Sequence, residues 1–182
     1  MKTHRIPIDD EIHLSPFTQH DIPSVVEFLN DGDVYENLLS VPHPYEEKHA
    51  VEWMEKNRNI EEEHGRPISW AIRNSRGTVT GGVGLKIRDL EMFHRVEIGY
   101  WMAKPFWGQG IMTRVVGGFC RYLFETDRLR KITAHVFRSN AASVCVLRKN
   151  GFQREGLLRQ HFFKNDQYID AYVFGLLKEE NV

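Results

Sequence analysis

This 182-residue chain contains no run of about 18 apolar residues, so no segment qualifies as a membrane-spanning helix. Its first stretch, MKTHRIPIDDEIHL, lacks the apolar core of a secretory leader. Cysteine is scarce, with only Cys120 and Cys145, and both fall in apolar helical contexts. Two such cysteines read as small buried side chains in a reducing compartment, and exclude a disulfide framework or a cysteine metal cage. Charge of one sign is also lacking: 24 basic residues meet 25 acidic ones, for a net charge of −1, and no Lys/Arg run stands out. The electrostatic footprint of a nucleic-acid binder is therefore missing. No long linker, internal repeat or low-complexity tract interrupts the chain. These absences leave a soluble, cytoplasmic protein, and 41% hydrophobic composition is enough for the core of one domain.

What is present centres on residues 99–124, GYWMAKPFWGQGIMTRVVGGFCRYLF. A short aromatic strand enters a turn in which Gly108 and Gly110 flank Gln109. Beyond the turn Ile111, Val115, Phe119 and Leu123 repeat at helical spacing, with Val116, Cys120 and Phe124 beside them. Glycines at the mouth of a helix let a ligand approach the backbone. The first N–H groups of the helix and its dipole then suit phosphate or pyrophosphate. A plain strand-to-helix turn would use the same residues. No Walker A string occurs, and the third glycine of a dinucleotide fingerprint is replaced by Thr113. What remains suits a pyrophosphate held by backbone alone.

Elsewhere the pattern predicts a strand over 11–17 and a helix over 20–30, with Pro23 in its first turn. Residues 30–44 read as turns, and 45–64 as a charged amphipathic helix with Ala50, Trp53, Met54 and Ile60 on one face and Gly65 as its stop. Residues 67–73 and 78–88 form a hairpin around Ser75, Arg76 and Gly77. Gly81, Gly82 and Gly84 in its second strand suggest a bulge or a close backbone neighbour. Residues 95–102 and 131–137 are strands, 140–149 a helix, and 157–163 and 168–177 a closing pair of strands. The expected class is a single α/β domain over residues 1–182, with its core about 11–178 and a central mixed sheet flanked by helices.

These residues also carry a resemblance. EIHLSPFTQHDIPSVVEFLND, WAIR, GGVGL, VEIGYWMAKPFWGQGIMT, the Asn140-x-x-Ser143 spacing, Asn150-Gly151-Phe152 and the closing YIDAYVFGLLKEE together resemble the GNAT superfamily of acetyl-CoA-dependent N-acetyltransferases. The similarity is closest to its RimJ/RimL-like branch. The superfamily's pyrophosphate motif begins with Gln or Arg, where this chain has Pro105, a departure that leaves the backbone donors in place.

The resemblance implies a mixed, twisted sheet whose splayed strands hold acetyl-CoA as cosubstrate. Backbone contacts to the pantetheine arm would come from Trp101, Met102 and Ala103. The pyrophosphate would rest on the amides of Trp107, Gly108, Gln109, Gly110, Ile111 and Met112, and Asn140 would meet the pantetheine. Asn140 has a second role open to it, as a helix-start residue. The amide near Met102 could stabilise the oxyanion of the tetrahedral intermediate.

Acyl transfer needs a neutral amine and a stabilised thiolate. A lysine amine with pKa about 10.4 is scarcely neutral at pH 7.5, whereas an α-amine near 8 is neutral roughly a quarter to a third of the time. Glu97 is the candidate base, or else a structural charge paired with Arg95 or a neighbouring strand. The tyrosine acid of many GNAT enzymes is replaced by Leu147, and the branch's serine is Ser143, one helical turn earlier. RimL-type enzymes carry a glutamate where this chain has Phe162. His94, His135 and His161 look too scattered for a metal site, and read as surface or satisfied core residues.

The expected activity is direct acetyl transfer from acetyl-CoA to a primary amine in a ternary complex, with a protein N-terminal α-amine as acceptor. The alternatives are a small amine, amino acid or antibiotic-like metabolite as acceptor, or a non-catalytic acyl-CoA-binding module. No metal, nucleic acid or membrane partner is expected, and a homodimer is left open. Residues 31–44 and 163–168 are the candidate acceptor loops.

Overall fold

The computed structural model describes residues 5–86, 94–126 and 128–181. The chain forms two compact units, Met1–Gly84 with Tyr100–Ile111, and Leu85–Gly99 with Met112–Val182.

In the first unit β1 (Ile6–Pro7), β2 (His13–Ser15), β3 (Ser69–Arg73) and β4 (Val79–Leu85, whose last residue opens the second unit) pair antiparallel in that order. A 3-10 turn at Gln19–Asp21 leads into α1 (Ile22–Leu29), which carries Pro23 in its first turn. The Asp21 carboxylate accepts the Thr18 amide at 2.7 Å and binds the Arg73 guanidinium, also at 2.7 Å. Burial pushes the Asp21 carboxyl up, but the Arg73 and Thr18 hydrogen bonds outweigh it and hold the group below its ordinary value. Helix α3 (Glu47–His64) ends at Gly65, where φ is +68°. Ala50 joins Ile22, Val25, Leu29, Val34 and Tyr45 in a buried cluster.

Two elements were not visible as patterns, the first being β1, whose two residues precede the first expected strand. Within the turn-rich stretch lies α2 (Gly32–Glu36), capped by Asp31, whose carboxylate accepts from the Asp33 and Val34 amides. A helix of five residues is too short to leave a periodicity. Asn30 clasps the loop around it, bonding the Tyr45 carbonyl at 2.7 Å and the Tyr45 amide at 2.8 Å.

Both signals read from the β4 glycines are realised. The β3–β4 register shifts between Ile72 and Arg73, and a Cβ on Gly81 would stand 2.3 Å from the Trp101 carbonyl oxygen. The strand expected as far as Arg88 stops at Leu85, and its last two expected residues lie outside the described ones.

The second unit is built on β5 (Arg95–Met102, of which the residues to Gly99 belong here), β6 (Lys131–Phe137), β7 (Gln153–Lys164) and β8 (Gln167–Leu177). β5 runs parallel to β6 over three pairs, ending at Glu97 and Thr133. β6 continues antiparallel with β8 as far as Phe137 and Ala171, and β7 pairs antiparallel with β8. This is the mixed sheet of the expected α/β class. The closing strands are longer than expected: the hairpin turns tightly at Asn165 and Asp166, both with positive φ, and β7 already begins at Gln153, paired with Gly175.

Helix α4 (Ile111–Thr126) buries Val115, Val116, Phe119, Cys120, Leu123 and Phe124 of the stripe read from the sequence, and leaves its first member, Ile111, half-buried. Helix α5 (Ala141–Lys149) docks on it through Asn150, whose Nδ2 donates to the Thr113 carbonyl at 3.1 Å. Gly117 of α4 makes the room: a Cβ there would meet Asn150 Oδ1 at 2.7 Å. The two cysteines part company. Cys120 is buried, and burial pushes its thiol pKa up, whereas Cys145 is exposed, contrary to the expectation that both are buried. Cys145 falls on the outer face of α5, where an apolar neighbourhood in sequence did not translate into cover.

Candidate active site

The chain leaves β5 through a 3-10 turn, Lys104–Phe106, with Pro105 at its start. Trp107 closes this turn twice, its backbone N–H donating to the Lys104 carbonyl at 3.1 Å and its indole Nε1–H to the Met102 carbonyl at 2.7 Å. Gly108 and Gly110 follow with φ of +73° and +72°, and a Cβ on either would have nothing within 4 Å. The Gln109 side chain folds back, donating to the Pro105 carbonyl at 3.0 Å. Gly108 and Gly110 thus leave bare backbone beside the exposed Trp107 side chain, up to Ile111, where α4 begins. Amides in the first turn of a helix have no intrahelical acceptor, and the helix dipole is positive there.

Among the strand residues assigned to the pantetheine, Ala103 already donates its amide to the Thr80 carbonyl at 2.9 Å, and its own carbonyl accepts from Phe106 at 3.0 Å. The Trp101 carbonyl faces Gly81. Trp101 is half-buried, and Met102 is buried.

Asn140 caps α5, its Oδ1 accepting the Ser143 amide at 2.9 Å. The cap therefore occupies the oxygen, and a pantetheine contact falls to the Nδ2 donors. Ser143 is half-buried, and Leu147, one turn later, is fully buried.

Glu97 is buried, its side chain 8% exposed, and its Oε2 lies 3.0 Å from His135 Nδ1. The His135 ring stacks on His161, with centroids 5.3 Å apart and planes 17° from parallel. Phe162 sets its edge against both rings, at 6.5 Å from His135 and 4.6 Å from His161. The sequence reading anticipated a partner for Glu97 on a neighbouring strand, but not which one, and took the three histidines as scattered. Two of them are neighbours. Only the strand register carries a signal for His135: parallel pairing of Glu97 with Thr133 places residue 135, two further on, on the face of Thr133. No such signal existed for His161, because β7 shifts register between Leu158 and Phe162. Among the described residues no three His, Cys, Asp or Glu side chains gather as a metal site, and no helix is long and apolar enough to cross a membrane.

The family model described as acetyltransferase (GNAT) domain matches residues 11–153. The chain is 28% identical over 175 residues to a protein of Bacillus subtilis (strain 168) named uncharacterized N-acetyltransferase YoaA, an alignment covering 93% of this chain and 94% of that one. It is 33% identical over 79 residues to the ribosomal-protein-serine acetyltransferase of Escherichia coli (strain K12), covering 43% of this chain and 44% of that one. Among solved structures, a GNAT-family acetyltransferase from Bacillus anthracis superposes with a TM-score of 0.84 at 20% identity, over 97% of this chain and 99% of the other.

Proposed function

The chain belongs to the GNAT acetyltransferase family and is an acetyl-CoA-dependent N-acetyltransferase, and from that premise we propose that its acceptor is the α-amine of a protein N-terminus. The observation that carries this reading is the state of Glu97. Its carboxylate is buried on β5 and held by His135 Nδ1 at 3.0 Å. An α-amine with pKa near 8 is neutral roughly a quarter to a third of the time at pH 7.5, so it asks less of such a base than a lysine-like amine with pKa about 10.4. The short but close match to a ribosomal-protein-serine acetyltransferase supports the same acceptor class.

In this reading the amides of Gly108 through Met112 hold the pyrophosphate, and the backbone of Trp101 and Met102 with the Asn140 Nδ2 guides the pantetheine. The Trp107 and Ala103 amides are set aside, since they already donate to the Lys104 and Thr80 carbonyls. Glu97 takes a proton from the acceptor ammonium, directly or through a water. The neutral nitrogen then attacks the thioester carbonyl, with the Met102 amide steadying the oxyanion. Collapse of the tetrahedral intermediate breaks the C–S bond. The second proton of the acceptor nitrogen passes through solvent to the departing sulfur so that CoA leaves as the thiol, and the Ser143 hydroxyl donates a hydrogen bond to that sulfur.

The test is acetyl-CoA turnover across peptides with free N-termini, N-terminally blocked peptides containing lysine, free amino acids and polyamines. Mass spectrometry of N-terminal acetylation in cells with and without the protein supplies the second arm. Turnover confined to small amines, with an unchanged set of acetylated N-termini, would reject the N-terminal acceptor. Ser143→Ala should lower kcat roughly 5- to 150-fold at nearly constant acetyl-CoA affinity. Full turnover in the folded variant would remove Ser143 from the mechanism.

A further inference from the structure

We propose that His135 is a positioning residue for Glu97, holding its carboxylate in plane and in register for proton acceptance. The inference rests on the reading of Glu97 as the base. Three features of the geometry carry it. A carboxylate as buried as that of Glu97 needs a donor, and His135 Nδ1 stands at 3.0 Å from Oε2. That contact fixes the proton on Nδ1, because the ring nitrogen facing a carboxylate must be the donor.

The imidazole is also held from its other side. His161 lies flat against it, and Phe162 fixes the angle of the stack while packing its own ring against Phe137, 5.5 Å away. A histidine serving only as a surface residue does not require this double restraint, one contact setting the direction of Nδ1 and the other the plane of the ring. The register of β5 and β6 then delivers the constraint to the carboxylate, since Glu97 is the last residue of the parallel ladder and His135 lies just beyond it.

The chemistry balances without a proton leaving His135. The acceptor ammonium gives its proton to the Glu97 carboxylate, which becomes a carboxylic acid, and the N–H bond that breaks is the acceptor's. His135 keeps its Nδ1–H on Oε2 throughout, so the other carboxylate oxygen stays in one plane. Loss of the donor would remove this restraint on the plane of the carboxylate, which costs rate and leaves cofactor binding untouched.

The experiment compares His135→Phe, which keeps a ring but has no donor, with His135→Asn, whose Nδ2 can stand in for Nδ1. A peptide with a free N-terminal serine serves as acceptor. His135→Phe should lower kcat roughly 10- to 100-fold with acetyl-CoA affinity unchanged, and His135→Asn should recover most of it. Equal slowness of the two variants, or full speed in both, overturns the proposal. Glu97→Gln separates the two layers: if it is as fast as the parent, the base assignment itself fails. If it is slow while His135→Phe is fast, only the positioning role fails. A measurement independent of any acceptor is the imidazole N–H spectrum by NMR. The His135 Nδ1 proton should be slow to exchange with solvent and should move in Glu97→Gln, and a resonance that stays in place overturns the proposal.

Discussion

Two groups of glycines look alike in the sequence and do opposite things in the fold. Gly81, Gly82 and Gly84 lie in β4, where an added Cβ would come within 2.3 Å of the Trp101 carbonyl, 2.5 Å of the Trp101 indole nitrogen and 2.7 Å of the Ile68 carbonyl. Gly108 and Gly110 lie in open space, and glycine is needed there because the backbone adopts positive φ. The first group is filled from within by the protein's own backbone and tryptophan. The second leaves a bare surface of backbone for something from outside. Crowding marks a packing glycine, and emptiness with positive φ marks a turn, at Gly65 and Gly77 as at Gly108 and Gly110; what sets the last two apart is their place before the first turn of α4.

The contrast breaks most sharply at Gly81. Gly81→Val should destabilise the protein by about 3 kcal/mol or more, because the clash is with backbone rather than with a side chain that can swing away. An unchanged denaturant midpoint would show that β4 tolerates a side chain where the geometry leaves no room. Next come Gly108→Val and Gly110→Val. Each should cost only about 1–2 kcal/mol of stability, the strain of a left-handed residue. Each should also weaken acetyl-CoA roughly 10- to 100-fold by calorimetry, as the side chain blocks the backbone donors. Normal cofactor affinity in either variant would reduce the turn to a simple connection. The smallest effect belongs to Gln109→Ala, because that side chain is folded onto the Pro105 carbonyl. Acetyl-CoA affinity should stay within about threefold of the parent, on the scale of one neutral hydrogen bond. A larger loss would give the Gln109 side chain a part in binding that its position does not suggest.

Much of the architecture was legible because its signals are local. The stripe from Ile111 to Phe124 is a helix with its apolar face buried, and β5 and β6 begin and end where expected. Asn140 starts α5, Gly65 stops α3, and Asn150-Gly151-Phe152 joins α5 to β7, with Gly151 at φ +79° and Phe152 buried. Where the reading fell short, no local signal existed. Helix α2 is shorter than the period that would reveal it, and the exposure of Cys145 depends on which side of α5 meets its neighbours.

The sequence by itself determined the order of the elements apart from β1 and α2, the glycine turn before α4, the motif that identifies the family, and the candidate pair Glu97 and Ser143. The first two follow from propensity, spacing and the backbone freedom of glycine, all of which act over a few residues, whereas the part given to Ser143 is what the family resemblance implies. Only the tertiary structure decided that Glu97 is met by His135 and that His161 stacks behind it. Residues 97, 135 and 161 come from three different strands, and their meeting requires the parallel register of β5 on β6. It also requires the shift in β7 at Leu158–Phe162, where Gln160 takes φ +50° and donates its amide to the Asp170 carboxylate. A displacement of one residue in either strand would turn a histidine to the other face, so the grouping is fixed by register between strands and not by the composition of any one of them.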